Sequence, residues 1–323
     1  MRGRHVAMLA LLSAIWGASY LLIKYALRDL PEGPIVFLRT ALAAVALLVL
    51  IKMQGGAAMS VVTEVRRRPG LAFLLGLTAI AAPFLLITYG ERTVPSGLTA
   101  VLIASAPIFI AIFAPFLDRR EIMSPAQWVG LIVGLVGVVL LVGVEQIDTT
   151  GEFLGALAMI AAAASYGVSG FILTRSYRGF SPVMTSLLST GTSALVVLPL
   201  AVADPPTQMP GGLAIFSVVV LGLLGTAYAF VVYYQLIAEI GFGRSSVVAY
   251  TIPPVALVYG SLLLDETITL AMVGGMALIL VGVFLIARAR RAQAAVAAGE
   301  TVTVEGSTGR PRRGSRPPRR RAP

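Results

Sequence analysis

Residues 97–107 read GLTAVLIASAP, and 146 positions later residues 243–253 read GRSSVVAYTIP. Both segments open on glycine, close on proline and carry an apolar body between. Working outward, the same offset of 146 pairs Gly76 with Gly222 and Phe84 with Phe230 without a gap. Past the prolines one residue drops out, and an offset of 145 pairs Glu121 with Glu266, Gly130 with Gly275 and Gly137 with Gly282. Each copy reads as an apolar helix, a short turn, an apolar helix broken by proline, an acidic turn and a glycine-spaced apolar helix. The period is far longer than the roughly 20–50 residues of a solenoid unit, so it signals a duplicated domain.

Of 323 residues, 57% are hydrophobic and 12% charged, with a mean hydropathy of +0.89. A soluble chain carries about a quarter charged residues. The apolar runs here are some twenty residues long, enough to cross a hydrocarbon core of ~30 Å at ~1.5 Å per residue. This is the composition of an all-α polytopic integral membrane protein. The chain has no cysteine and a single histidine, His5, which leaves no thiol chemistry and no histidine-based metal cluster. No cofactor is expected.

The net charge of +10 is uneven: seven of 25 basic residues lie between Arg310 and Arg321, in a tail rich in proline and glycine. Such a segment buries too little apolar surface to fold. It is expected to be a disordered tail near anionic headgroups, with no specific nucleic-acid partner.

The run from Val6 to Leu27 is too long for a secretory signal and lacks a clean cleavage site. Further runs follow at about 33–52, 71–90, 97–117, 127–144, 153–174, 182–203, 211–236, 244–264 and 268–287, ten spans in all. The organisation expected is therefore an amino-terminal segment 1–5, a five-helix repeat over 6–144, a second over 153–288, and the tail 289–323. With the amino terminus in the cytoplasm and the tail cluster set aside, inner segments carry 14 lysines and arginines against 2 outside, Arg28 and Arg92. By the positive-inside rule both termini face the cytoplasm of the cell membrane. An odd number of spans per repeat makes the second copy enter with opposite polarity, the inverted duplication of secondary transporters.

Trp16-Gly17 followed by Lys24 resembles the opening of the EamA-type repeat of the drug/metabolite transporter superfamily. Leu38-Arg39, the mid-span Pro107, and Glu121 followed by Gln127-Trp128-Val129-Gly130 fit the same pattern. The second copy keeps Tyr166-Gly167, Pro253, Asp265-Glu266 and Gly275, so the resemblance covers residues 6–288. It implies a ten-helix carrier of small organic solutes such as metabolites, amino acids or drugs, built around a central cavity.

Pro107 and Pro253 are expected to free the carbonyls of Ile103 and Ala249. Freed carbonyls inside a bilayer need protein or cavity water, and Ser105, Ser246, Tyr250 and Thr251 supply polar groups nearby. Arg39 and Lys24 are the only basic residues inside spans, and an intramembrane cation is a functional candidate. Lys24 is close enough to its helix end to snorkel. Trp16, Tyr20 and Tyr166 are deep aromatics suited to stacking on a solute or to core packing, whereas Tyr89 and Tyr234 read as interface residues. Every acid falls at a span end or in a loop, Glu91 and Glu239 lying nearest the membrane. Gly130 and Gly134 form a GxxxG pair that fits a contact within the chain or a homodimer.

The partners expected are a small-molecule solute and the lipid bilayer. A membrane-embedded enzyme would need an acid/base pair, a metal cluster or an activated nucleophile, and with no cysteine, a lone terminal histidine and no buried carboxylate only Ser/Tyr/Lys chemistry remains for it. A non-transporting scaffold has no use for an inverted duplication around mid-span prolines.

Overall fold

A computed structural model describes residues 3–55, 59–117, 124–144, 149–177, 179–241, 245 and 247–297. Among the described residues the regular structure is all helical. In chain order the helices are α1 (Gly3–Ala26), α2 (Glu32–Met53), α3 (Met59–Arg67), α4 (Pro69–Gly90), α5 (Ser96–Ile103) and α6 (Ala106–Leu117). The first copy closes with α7 (Pro125–Val144). The second comprises α8 (Thr150–Ser176), α9 (Pro182–Ala203), α10 (Gly212–Ile240), α11 (Val248–Leu263) and α12 (Leu270–Ala297). Eight helical segments are long and apolar enough to cross a membrane, α5 and α6 counting together, while Pro125–Leu141 and Val248–Leu263 are shorter. The amphipathic α3 lies in the connection between α2 and α4.

Local chemistry sets the helix ends. Thr149 and Glu152 form a reciprocal capping box that starts α8. Ser181 caps α9 ahead of Pro182, whose missing N–H costs nothing in the first turn. Gly241, at φ 83°, stops α10 in a conformation few other residues adopt.

The main contacts between helices join one copy to the other, and they come in exchanged pairs. The second helix of each copy packs on the other, α2 on α9, and so does the last, α7 on α12. The contact of α1 with α11 has its exchange partner in α8 with α6, and that of α8 with α4 in α1 with α10. Aligned glycines bring α7 and α12 together: a Cβ on Gly282 would lie 2.5 Å from the Gly130 carbonyl oxygen, and one on Gly137 2.9 Å from that of Gly275. The GxxxG face of Gly130 and Gly134 is thus used within the chain.

The aligned prolines behave differently. The helix breaks at Ala104–Ser105, and Pro107 sits in the first turn of the new helix α6, where it blocks no helical bond. Pro253 and Pro254 lie inside the continuous helix α11. The sequence expectation of two like mid-helix kinks is corrected at Pro107. The aligned third spans do share an irregularity that the sequence does not announce. Each contains a π turn, at Leu77–Ala81 in α4 and Leu223–Tyr228 in α10, starting 146 residues apart.

Candidate functional site

Each π turn has one side packed against the opposite copy. Their wider i→i+5 ladder leaves carbonyls open to outside donors. Trp16 of α1 donates its indole N–H to the Gly225 carbonyl at 3.1 Å, across to the second copy's turn. Ser165 of α8 donates its hydroxyl to the Thr78 carbonyl at 2.9 Å, in the first copy's turn. Each turn is therefore held by a side chain from the first helix of the opposite copy.

Between the copies lies a cavity of about 150 Å³, lined by Ala79 of the first turn and by Phe230, Tyr233 and Tyr234 just past the second. Its aromatic wall is continuous: Trp16 meets Phe230 at 5.7 Å and Tyr233 at 5.2 Å between centroids, and Phe230 meets Tyr234 at 5.6 Å. Phe84 and Phe230, paired by the 146 offset, touch edge to face at 6.1 Å. Tyr20, Pro107 and Tyr166 join the lining from α1, α6 and α8, as do Ala249 and Ile252 from α11.

Arg39 supplies the charge. It is only 2% exposed yet lines the cavity. Its guanidinium carbon lies 3.8 Å from the Phe84 ring centroid, a cation–π geometry, and its Nε–H donates to Thr226 Oγ1 at 3.2 Å. The Thr226 hydroxyl donates in turn to the Leu221 carbonyl at 2.8 Å, so the π turn orients the acceptor that holds the arginine. Among the described residues the ion pairs are Arg4 and His5 with Glu239, Arg68 with Glu64, and Arg92 with Glu32. Arg39 has no carboxylate partner among them. At the offset of 150 that aligns Trp16 with Tyr166, Arg39 falls on Ser189, whose hydroxyl accepts from Tyr234 at 3.3 Å.

The structure thus gathers Trp16, Tyr20, Arg39, Pro107 and Tyr166 around one space. It leaves other candidates elsewhere. Ser105 is fully buried and spends its hydroxyl on the Leu102 carbonyl. Thr251 is exposed on the outer face of α11 and meets Ser13 of α1. Tyr250 packs against the core, Pro253 is buried in α11 away from the cavity, and Lys24 is half-buried toward the Glu91 end. Ser246 lies outside the described residues. Tyr234 corrects its interface reading: α10 runs on to Ile240, so Tyr234 is 5% exposed and lines the cavity. Tyr89, 44% exposed, faces outward. Phe84, Phe230 and Thr226 are site residues that the sequence reading misses, although the self-alignment already marks the two phenylalanines.

A model of the EamA-like transporter family matches residues 4–143 and again residues 153–288. An uncharacterized transporter, YoaV, of Bacillus subtilis (strain 168) is 28% identical over 276 residues, 84% of this chain and 92% of that protein. A "Probable terminal-alkyne amino-acid exporter" of Streptantibioticus cattleyicolor is 35% identical over 222 residues, 67% of this chain and 72% of that protein. A solved crystal structure, 19% identical, superposes with a TM-score of 0.64 over 91% of this chain and 100% of its own, which shows the fold alone. Apolar helices, a cavity between two copies and relatives named as transporters describe a multi-pass membrane transporter, and the chain belongs to the EamA-like transporter family.

Proposed function

We propose that this transporter exports small organic solutes bearing a carboxylate, amino acids foremost, across the cytoplasmic membrane by alternating access. The observation that carries the reading is Arg39, a buried guanidinium on the wall of an aromatic cavity, without a carboxylate partner among the described residues. A buried cation is costly unless paired. A solute carboxylate would supply the missing acceptor in bidentate geometry, and the aromatic rings would cover the rest of the molecule. The name of the Streptantibioticus relative, "Probable terminal-alkyne amino-acid exporter", supports the same solute class and direction.

Ten crossings follow from the apolar runs and both termini in the cytoplasm from the charge bias, and the exchanged pairs of contacts support the pairing of two repeats. Two halves of opposite polarity can trade conformations and so open one site to either face. The test is exchange of radiolabelled amino acids by the purified protein in liposomes, with Arg39→Gln alongside. Exchange of carboxylate solutes that weakens selectively in the variant is expected. Equal affinity in wild type and variant, or exchange of amines lacking a carboxylate alone, would defeat the reading.

A further inference from the structure

Two acids meet at the end of the bundle where α4 gives way to α5, and the structure treats them oppositely. Glu266, in the segment before α12, accepts the backbone N–H of Ser96 at 2.7 Å and of Gly97 at 3.0 Å. These amides open α5, so its carboxylate sits on a helix N-terminus with two donors, a setting that favours negative charge. Gly260 leaves it room, since a Cβ there would collide with Glu266 Oε2.

Glu91 has the reverse. It follows Gly90, the last residue of α4, at a helix C-terminus where negative charge is disfavoured. It is 0% exposed. Ser96 donates to its Oε2 at 3.2 Å, but Oε1 is buried with no partner. The Thr99 hydroxyl is buried beside it and, like the Ser96 hydroxyl, opposes the rise in the Glu91 pKa by favouring the charged carboxylate. Lys24 and Tyr20 face Glu91 from α1 and Glu266 faces it from the segment before α12, none in an ion pair with it among the described residues. Arg92, next in the chain, is bound instead by Glu32 of α2 at 2.5 Å. The Glu266 carboxyl nearby adds to the cost of a negative charge on Glu91.

Resting on the transport reading above, we propose that the Glu91 carboxyl is a proton-binding site coupling solute movement to proton movement. It holds the proton while this end of the bundle is closed, as in this structure, and releases it to water as carboxylate and H⁺ when the end opens. Position suits the role: Ile87, one turn earlier, and Ala100, beside Thr99, line the solute cavity, and Glu91 lies just beyond them. Burial pushes its carboxyl up to about 8, with Lys24 opposing and Glu266 adding to the rise. A carboxyl raised in the closed form favours that form at low pH. The advantage fades as pH climbs from the ordinary carboxyl value of 4.5 through about 8.

Two measurements test this, and only the second needs a solute. Infrared titration of the purified protein should show a protonated carboxyl persisting well above the ordinary carboxylate range. The band should vanish in Glu91→Gln and remain in Glu266→Gln. A band that survives Glu91→Gln, or none at all, overturns the proposal. In liposomes offered the twenty standard amino acids, a pH gradient should drive accumulation by wild type. Glu91→Gln should lose that drive more completely than it loses gradient-free exchange, and Glu91→Asp should retain it with a displaced pH profile. Accumulation that follows a sodium gradient and ignores pH overturns proton coupling. Absence of any exchange in wild type, with the Glu91 band present, counts against the amino-acid reading while leaving the proton site standing.

Discussion

The aligned spans around Pro107 and Pro253 and the aligned spans around the two π turns make an instructive contrast. The prolines are identical in sequence position, yet one lies just after a break and the other inside an unbroken helix. The π turns differ in sequence, LTAIA against LLGTAY, yet have the same geometry at the same place. Pro83 follows the first turn, whereas Ala229 stands at the aligned position after the second, so the irregularity does not require a proline. What keeps the turns alike is their partners, Ser165 and Trp16, each reaching across from the other copy. Symmetry in this molecule is preserved by contacts between the copies more than by residue identity within them.

The contrast can be broken most severely where the copies touch backbone to backbone. Gly282→Val would drive side-chain carbons into the Gly130 carbonyl and Gly134. Overpacking of this kind costs roughly 1–3 kcal/mol or more. Thermal melting in detergent should therefore show a larger destabilisation for this variant than for any of the substitutions that follow. Gly274→Ala, with open space around the new Cβ, is the matched control and should melt near wild type.

The charge asymmetry between the copies comes next. Arg39→Gln should weaken carboxylate solutes by about 1–3 kcal/mol, the worth of a hydrogen bond to a charged group. Ser189→Ala, at the aligned position, should change affinity far less. Isothermal titration of both variants with the same solute reads the difference directly. Equal losses would mean that the two copies bind the solute in the same way.

The smallest effects probe the crossed anchors. Trp16→Phe keeps a ring against Phe230 but removes the donor to Gly225, and Ser165→Ala removes the donor to Thr78. Each should cost about 1 kcal/mol of stability, and the two losses should be similar if the anchors are equivalent. Paired melting curves of the single variants decide it.

Much of this is legible in the sequence for a physical reason: duplication leaves a constant offset, and apolar length reports membrane crossing. The offset singles out Phe84 and Phe230, whose rings touch in the folded chain. Arg39 is legible as a lone cation within an apolar run. Other parts are not. A π turn has no residue signature, since it answers to a partner on another helix. Tyr234 misleads because α10 continues past the end of its apolar run to Ile240. Glu91 has the look of an ordinary span-end acid, and only tertiary packing of α1, α5 and the segment before α12 seals it from water.

A π turn amounts to one residue inserted into a helix, and an α-helix turns by ~100° for each residue. Everything after the insertion is rotated by that phase. Phe84 and Ile87 face the cavity, and Glu91 its end, only because Leu77–Ala81 carries the additional residue. Deleting one residue there should swing all three away while leaving composition and hydropathy almost unchanged. The copies align through both turns without a gap, so the same rotation aims Phe230 of the second copy at the cavity as aims Phe84 of the first.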